Sequence, residues 1–171
     1  MVASTESLSV GRELVKIGKT CNISVCEDEW TPFLIGDKIS CFKTFGHMKL
    51  NEAITYCESF NAKQILPRST QESDDLLSAL LSLNLDSDSS SALVSIGIYK
   101  TKQGDWHDSS GQPISYFNWL SDEPDDLAGK RIYAGFRIDK AQRSARWADY
   151  SGIDELNVVC TKRPRQGQNK N

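Results

Sequence analysis

The chain has 171 residues, of which 39% are apolar, and a formal net charge of −3. This length and apolar content predict one domain with a buried core and short tails, and leave too little sequence for two domains. The nearly balanced charge gives no general attraction to nucleic acid or to an anionic membrane, so partners of those kinds are not expected.

The cysteines indicate an oxidising environment. The chain has five cysteines without a Cys-x-x-Cys pair, and only two histidines, so a zinc site is poorly supported and disulfide bonds are the better interpretation. We therefore expect an extracellular protein, secreted or the ectodomain of a membrane protein, with Asn22-Ile23-Ser24 as a glycan acceptor. Residues 1–10 lack the apolar stretch of a secretory signal, so the chain is expected to begin after a removed signal, and no apolar run is long enough to insert into a membrane.

The first third of the chain predicts a lead-in segment, a β-hairpin and a helix. Residues 1–20 are weakly patterned and form the lead-in segment. Apolar residues flank Gly36-Asp37-Lys38, a pattern typical of two short strands joined by a turn. Residues 49–62 have apolar side chains at helical spacing, and Cys57 lies on that apolar face, so we expect its side chain in the core.

A second helix is predicted after Leu66-Pro67. Ser69 and Glu72 fit a capping box, in which each side chain satisfies the free backbone N–H of the other residue. Residues 86–91 are serines and aspartates without the glycine and distal glutamate of an EF-hand loop, so they predict a solvated loop. Residues 92–99 then predict a buried strand, with a glycine where another backbone comes close.

The second half of the chain predicts a long irregular segment followed by strands. Residues 100–131 contain turn signals without helical or strand periodicity, which is unusual in a compact domain unless the loop is functional. Strands are predicted at residues 132–138 and 156–160, with a short strand around Trp147. Residues 163–171 form a basic tail with little to bury, which predicts disorder.

Carboxylates and aromatic residues are concentrated within and after the irregular segment. Trp119 precedes Glu123-Pro124-Asp125, and Trp147-Ala148-Asp149 follows. Carboxylates around a proline suit a rigid loop that binds a cation or another ligand. The alternative is a tight turn with a cis peptide at Pro124 that shapes the loop without a ligand. Motifs of nucleotide binding and nucleophilic catalysis are absent, so the chain is expected to bind a ligand and not to be an enzyme.

Several short motifs lie in an order and at spacings that together indicate a known family. They are Cys26 with Trp30, Cys41-Phe42, Cys57, Ser95-Ile96-Gly97-Ile98, Tyr116-Phe117-Asn118-Trp119, Glu123-Pro124-Asp125, Trp147-Ala148-Asp149 and Cys160. In this order they resemble a long-form C-type lectin-like domain. The resemblance implies an α+β fold over residues 21–162, in which two helices flank small antiparallel sheets and a long irregular loop protrudes. It also implies the disulfides Cys26 with Cys41 and Cys57 with Cys160.

The residues around the family's calcium site differ from the pattern of its sugar-binding members. Those members hold calcium with the Glu and Asn of Glu-Pro-Asn, an acidic residue downstream, and the Asn and Asp of Trp-Asn-Asp. The oxygen donors that this chain keeps are Glu123, Asp125 and Asp149. A cation, Lys130 or Arg131, stands near the position of the downstream acid, and Ala148 replaces the asparagine. Because calcium prefers about six to eight oxygen ligands and like charges repel, we expect no cofactor, with calcium as the alternative.

A family disulfide across the long loop is absent, because Tyr133 and Tyr150-Ser151-Gly152 stand near its cysteine positions. The loop is therefore expected to be either packed by aromatic residues or mobile. The aromatic candidates are Trp106, Tyr116, Phe117, Trp119 and Tyr133. The implied pairing leaves Cys21 over, which indicates either an intermolecular bridge, in a dimer or to another chain, or a free thiol.

Two functions follow from the resemblance. The first is an extracellular recognition module that binds a protein or glycan ligand through the long-loop face without calcium. The alternative is a calcium-dependent, carbohydrate-binding lectin that uses Glu123, Asp125 and Asp149 as metal ligands. The residues predicted to form the ligand-binding face are Glu123, Asp125, Asp126, Arg131, Trp147 and Asp149.

Overall fold

The computed structural model describes residues 25–165. The lead-in segment, Cys21 and Asn22 lie outside these residues, so the predictions made for them stay predictions. Within this range the elements are β1 (Thr31–Ile35), β2 (Lys38–Lys49), α1 (Leu50–Glu58), β3 (Lys63–Gln64), α2 (Thr70–Ser82), β4 (Ser91–Lys100), β5 (Trp106–Asp108), a short 3-10 helix (Leu127–Gly129), β6 (Arg131–Asp139), β7 (Ser144–Ser151) and β8 (Glu155–Lys162).

The strands of the described region form one sheet. Its order is β1-β2-β8-β4-β6-β7, with β3 also paired to β8 and β5 to β4. Paired strands are antiparallel except β4 and β8, which meet in parallel at Val94 and Asn157. The contact between β4 and β8 connects the strands into one sheet, where the sequence predicted separate small sheets. The observed fold is therefore two helices with one mixed sheet. The predicted short strand around Trp147 is β7, an edge strand eight residues long.

The predicted hairpin is confirmed. Ile35 pairs with Lys38, so Gly36 and Asp37 form the turn between β1 and β2, and Gly36 has a φ of 61°. A two-residue turn of this kind favours glycine because an L side chain strains a positive φ. The backbone N–H of Gly36 also donates to Asp75 Oδ2 at 2.7 Å, which ties the hairpin to α2.

Both predicted helices are present, with different ends. The first was predicted over residues 49–62, but α1 ends at Glu58 because Asn61 turns into the left-handed region with a φ of 52°. At the start of α2, Ser69 Oγ accepts from the backbone N–H of Glu72 at 3.2 Å, as the capping box requires. Glu72 does not return the bond to Ser69; its carboxylate accepts from the backbone N–H of Arg68 at 2.8 Å. Neither helix of residues 25–165 combines the length and the apolar character that crossing a membrane requires.

The loop between α2 and β4 is exposed at residues 87–91, as predicted, whereas Asp86 is partly buried. Asp86 lies in it with a positive φ, and Asp86 Oδ2 accepts from the buried Asn157 Nδ2 at 2.8 Å. His47 Nε2 lies 3.1 Å from Asp86 Oδ1, beside the irregularity in β2. The carboxylate of Asp86 therefore joins the loop to β2 and β8. This long-range contact has no local sequence signal.

The core and the disulfides connect the helices to the sheet. Within residues 25–165 two disulfides are present, Cys26–Cys41 and Cys57–Cys160, which confirms the implied pairing. Gly97 lies where a Cβ would be only 3.1 Å from Gln64 Cβ, which confirms the predicted close approach in β4. The largest fully buried side chains include Trp147, Phe42, Phe136, Leu50, Ile65 and Leu80.

The C-terminal tail begins with an ordered contact. The backbone N–H of Arg165 donates to the carbonyl of Val25 at 3.1 Å, and Arg165 Nε lies 3.8 Å from Glu27 Oε1. Arg165 therefore has defined contacts with Val25 and Glu27, and the disorder expected of residues 163–171 stays a prediction. The remainder of the tail lies beyond the described range.

A buried carboxylate organises the turn that leads into the long loop. Asp108 Oδ1 accepts from Ser110 N at 2.9 Å, Ser110 Oγ at 2.6 Å and Gln112 N at 3.1 Å. Asp108 Oδ2 accepts from Arg68 Nη2 at 2.7 Å, which links the turn to the start of α2. Burial alone would raise the pKa of Asp108, but the hydrogen bonds from Ser110, Arg68 and Gln112 outweigh it and hold this pKa well below its ordinary value.

We expect Asp108→Asn to lower the free energy of unfolding by about 2 to 3 kcal/mol at neutral pH, because an amide cannot accept from all these donors. Since the pKa is lowered in the folded protein, the carboxylate stabilises the fold fully above its unfolded pKa of about 4. That contribution is lost as the pH falls from there toward the folded pKa. Urea unfolding at about pH 7, 5 and 3 should show the difference from wild type shrinking only below about pH 4.

Asp105→Asn is the matched control, because Asp105 is an exposed carboxylate in the same connection. It should change stability by less than about 0.5 kcal/mol. Equal losses in the two variants would contradict the role given to Asp108.

Candidate functional site

The base of the long loop is packed on an aromatic cluster. Leu120 N donates to Trp147 O, and Trp147 N donates to Asn118 O, both at 2.8 Å. The rings of Trp119 and Trp147 meet edge to face with centroids 5.5 Å apart. The other rings of the cluster are Trp106, Tyr116, Phe117 and Phe136. The sequence left two alternatives for the long loop, packing by aromatic residues or mobility, and the structure shows aromatic packing at its base.

Two aromatic residues take positions that differ from the prediction. Trp147 is 0% exposed, so it supports the loop from within the core and does not belong to a ligand-binding surface. Tyr133 lies beside Gly152 and is not part of the ring cluster. Strand alternation explains the first difference, because Trp147 on β7 points to the opposite face from its neighbour Arg146, which is exposed.

The structure brings together the carboxylates that the sequence singled out. The ligand oxygens of Glu123, Asp125 and Asp149 lie within 4.8 Å of one another. Glu123 and Asp125 lie in the loop on either side of Pro124. The Glu123-Pro124 peptide is cis, as the tight-turn alternative predicted. Asp149 comes from β7, and its side chain is 0% exposed. We call these residues the carboxylate cluster.

Backbone hydrogen bonds hold the carboxylate cluster in place. The backbone N–H of Asp149 donates to Glu123 Oε2 at 3.3 Å, and that of Asp126 donates to Asp149 Oδ2 at 2.8 Å. Burial raises the pKa of Asp149, and the nearby Glu123 and Asp125 add to this rise, against the bond from Asp126. The cluster thus favours a positive charge beside it.

Arg131 supplies that positive charge. It is the first residue of β6, and its Nη1 lies 2.7 Å from Asp125 Oδ1 and 3.6 Å from Asp149 Oδ1. Desolvation works against the charged guanidinium, but Asp125, Asp149 and Glu123 outweigh it and raise the pKa of Arg131. Of the two cations that the sequence offered, Arg131 and not Lys130 is the one that contacts the carboxylates.

Lys100 is a second cation at the site, and the sequence analysis missed it. It ends β4, and its Nζ lies 2.7 Å from Asp126 Oδ2. The hydrogen bond from Lys100 holds the pKa of Asp126 below its ordinary value. Asp126 has a φ of 45°, so this ion pair fixes a strained turn of the loop. Only the folded structure reveals this contact, because Lys100 and Asp126 are 26 residues apart in sequence.

The carboxylate cluster by itself offers fewer free oxygens than calcium usually takes. Calcium takes about six to eight oxygen ligands, whereas the cluster has three carboxylates, and one oxygen of each is already bonded to a backbone N–H group or to Arg131. Ala148 offers no side-chain oxygen. Asp149 Oδ1 is buried without a hydrogen-bond partner, and the nearest cation to it is the guanidinium of Arg131 at 3.6 Å. The guanidinium of Arg131 would therefore compete with any metal cation for these carboxylates.

Comparison with known proteins supports a single fold. Residues 46–162 match the family model described as the Lectin C-type domain. The C-type lectin CEL-I from Cucumaria echinata is 19% identical, with a TM-score of 0.63 over 80% of this chain and 96% of that chain. Human lithostathine is 20% identical, with a TM-score of 0.61 over 81% and 90% of the two chains. A calcium-independent type II antifreeze protein is 20% identical, with a TM-score of 0.61 over 82% and 96%. No curated protein matches the chain.

Proposed function

The chain belongs to the C-type lectin domain family, and on that basis we propose that it is a calcium-independent recognition module that binds a protein or glycan through its long-loop face. The observation that carries the proposal is the position of Arg131. Its guanidinium neutralises the carboxylate cluster from 2.7 Å and 3.6 Å, so the loop has a cation of its own. The proposed role is binding and involves no catalytic step.

The exposed part of the long loop supports a binding role. Asp125 and Arg131 are partly exposed and present opposite charges side by side. Leu127 is 63% exposed next to them, and Phe117 is also exposed on the same loop. A surface that mixes charges with apolar side chains suits a protein or a sugar better than a simple ion. A fold-level parallel exists, since one structure similar to this chain is described as calcium-independent.

A second candidate is the calcium-dependent lectin. It is favoured by the proximity of the three carboxylates, within 4.8 Å, and by the unpartnered buried oxygen of Asp149. This function requires the Arg131 side chain to leave the cluster. Because Asp125 and Asp149 would then lose their counter-charge before the metal arrives, the calcium-independent module is the better supported of the two.

Calcium titration separates the two functions. We expect isothermal titration to show no calcium binding by the wild-type chain up to about 10 mM, and the thermal midpoint to be the same in calcium and in EDTA within about 1 °C. The physical reason is that Arg131 already occupies the cluster. Millimolar or tighter binding that disappears when Asp125 and Asp149 are both replaced by alanine would establish the calcium-dependent lectin instead.

An extracellular location and a covalent partner belong to the same proposal. The Cys26–Cys41 and Cys57–Cys160 disulfides support an oxidising compartment. A glycan at Asn22 and a disulfide-linked dimer through Cys21 remain predictions, since both residues lie before the first described one.

A further inference from the structure

Three arginines lie together on the hairpin formed by β6 and β7. Arg137 on β6 is the cross-strand partner of Arg146 on β7, and both side chains are exposed. Arg143 lies in the turn between the two strands and is also exposed. We call these three residues the arginine patch. A strand rises about 3.3 Å per residue, so Arg137 lies about 20 Å along β6 from Arg131, and the patch is separate from the long-loop face.

The arginine patch lacks counter-ions. Residues 25–165 contain seven arginines, of which Arg68, Arg131 and Arg165 lie within 3.8 Å of a carboxylate oxygen. Of the four arginines in this range without such a partner, all but Arg163 belong to the patch. The chain has 23 acidic and 20 basic residues, so a surplus of positive charge does not explain this concentration of unpaired arginines.

The other charged side chains of the hairpin are engaged elsewhere. Lys140 Nζ donates to the backbone carbonyls of Asp86 and Ser89, which fixes the loop between α2 and β4. The carboxylate of Asp139 accepts from the backbone N–H of Gln142 at 2.9 Å, within the turn. Asp139 therefore supports the turn and forms no ion pair with the patch.

The facing arginines destabilise the hairpin. Side chains of directly opposite residues on paired strands have Cβ atoms about 4.5–5.5 Å apart, and like charges in such a pair repel. Arg146 Nη1 donates to the carbonyl of Ala145 at 3.0 Å, and within residues 25–165 Arg137 has no side-chain hydrogen bond. An anion bound between the two guanidinium groups would remove the repulsion and satisfy their free N–H donors.

An apolar side chain lies beside the arginines. Leu93 on β4 is the cross-strand partner of Arg137, so Leu93, Arg137 and Arg146 form one row across three strands. Leu93 is partly exposed and belongs to neither hydrophobic cluster of the core. Arginine next to apolar surface is typical of protein–protein interfaces. A sulfated polysaccharide offers Leu93 no apolar contact, and the nearby carboxylate of Asp139 would repel its charges.

We infer that this row binds an acidic segment of a partner protein, with carboxylates against Arg137 and Arg146 and an apolar side chain over Leu93. Carboxylates suit the row because a guanidinium pairs with them in a bidentate geometry. The partner would use a different face from the long loop and needs no metal. This interaction therefore goes beyond the proposed function and does not depend on it.

NMR titration of the full 171-residue chain tests the interaction. The probe is a synthetic peptide of alternating glutamate and leucine, and its control has glutamine in place of each glutamate. The acidic peptide should bind about tenfold more tightly, because two exposed ion pairs contribute up to about 1 kcal/mol each. Its shifts should centre on Leu93, Arg137 and Arg146, and binding should weaken as sodium chloride rises from about 50 to 300 mM.

Two arginine variants locate the site. Arg146→Gln should weaken binding of the acidic peptide about three- to fivefold, because one ion pair is lost. Its thermal midpoint should not fall, since the change also removes the repulsion with Arg137. Arg163→Gln is the matched control, because it removes the same charge from the exposed, unpaired arginine outside the patch, and it should leave the affinity within about 1.5-fold.

Three results would overturn this assignment: equal or no binding of the acidic and glutamine peptides, equal losses in the two arginine variants, and tighter binding of a heparin oligosaccharide with the same number of charges as the acidic peptide. The last result would identify a polysaccharide surface instead. All titrations are made in EDTA, so they do not depend on the outcome of the calcium titration, and failure of this interaction leaves the proposed function standing.

Discussion

Replacing Cys57 and Cys160 together by alanine should lower the free energy of unfolding by about 4 to 5 kcal/mol. The disulfide joins α1 to β8 across a sequence separation of 103 residues, and both cysteines are 0% exposed. Without it, the unfolded chain recovers the entropy of a loop of that length, for which the chain-entropy model gives about 4.7 kcal/mol. Because domains are stable by about 5 to 15 kcal/mol, this variant should be close to unfolding at 37 °C.

The other disulfide is the matched control. Cys26 and Cys41 are separated by 15 residues, so their replacement by alanine should cost about 3 kcal/mol. Urea unfolding of both double variants and of wild type measures the difference. If the free energy of unfolding falls more without the Cys26–Cys41 disulfide than without the Cys57–Cys160 disulfide, the explanation by loop-closure entropy is contradicted.

Arg131→Glu should create a calcium site in a chain that, under the proposed function, binds no calcium. The change removes the guanidinium from Asp125 and Asp149 and adds a carboxylate beside the cluster of three. We expect a dissociation constant of about 0.1 to 1 mM, the range of extracellular calcium modules. Without calcium the added repulsion should lower the thermal midpoint, and about 10 mM calcium should raise it by about 3 to 8 °C.

Lys130→Glu is the control, because it makes the same change of charge at the adjacent exposed residue, whose side chain does not contact the cluster. Its thermal midpoint should not depend on calcium. Calorimetric titration of both variants with calcium and magnesium would complete the comparison. If Arg131→Glu does not respond to calcium, or Lys130→Glu responds equally, Arg131 is not what excludes the metal.

Local patterns predicted the elements that local forces determine. The Gly36-Asp37 turn, the apolar face of α1 and the Ser69 cap each depend on residues close together in the chain, and each is present. Two contacts differ from these local expectations. The carboxylate of Glu72 accepts from the backbone N–H of Arg68, the residue before the predicted partner Ser69, and Asp86 accepts from Asn157, 71 residues further along the chain.

At the candidate site the composition was predictable and the contacts were not. The motif resemblance identified Glu123, Asp125 and Asp149, and it indicated that a cation stands near them. It did not choose between Lys130 and Arg131, and it contained no signal for the Lys100 pair with Asp126. A side chain's partner depends on the approach of β4, β6, β7 and the loop, which come from different parts of the chain.

From the sequence alone, the order and spacing of the short motifs identified the family and the acidic loop, and the resemblance to that family implied the two disulfide pairs, because such motifs keep their meaning without three-dimensional context. Only the tertiary structure decided that Trp147 is buried and that the carboxylates already have Arg131 as a counter-ion. The physical reason is distance: Coulombic and packing energies depend on separations of a few ångströms, and the fold sets those separations between residues far apart in sequence.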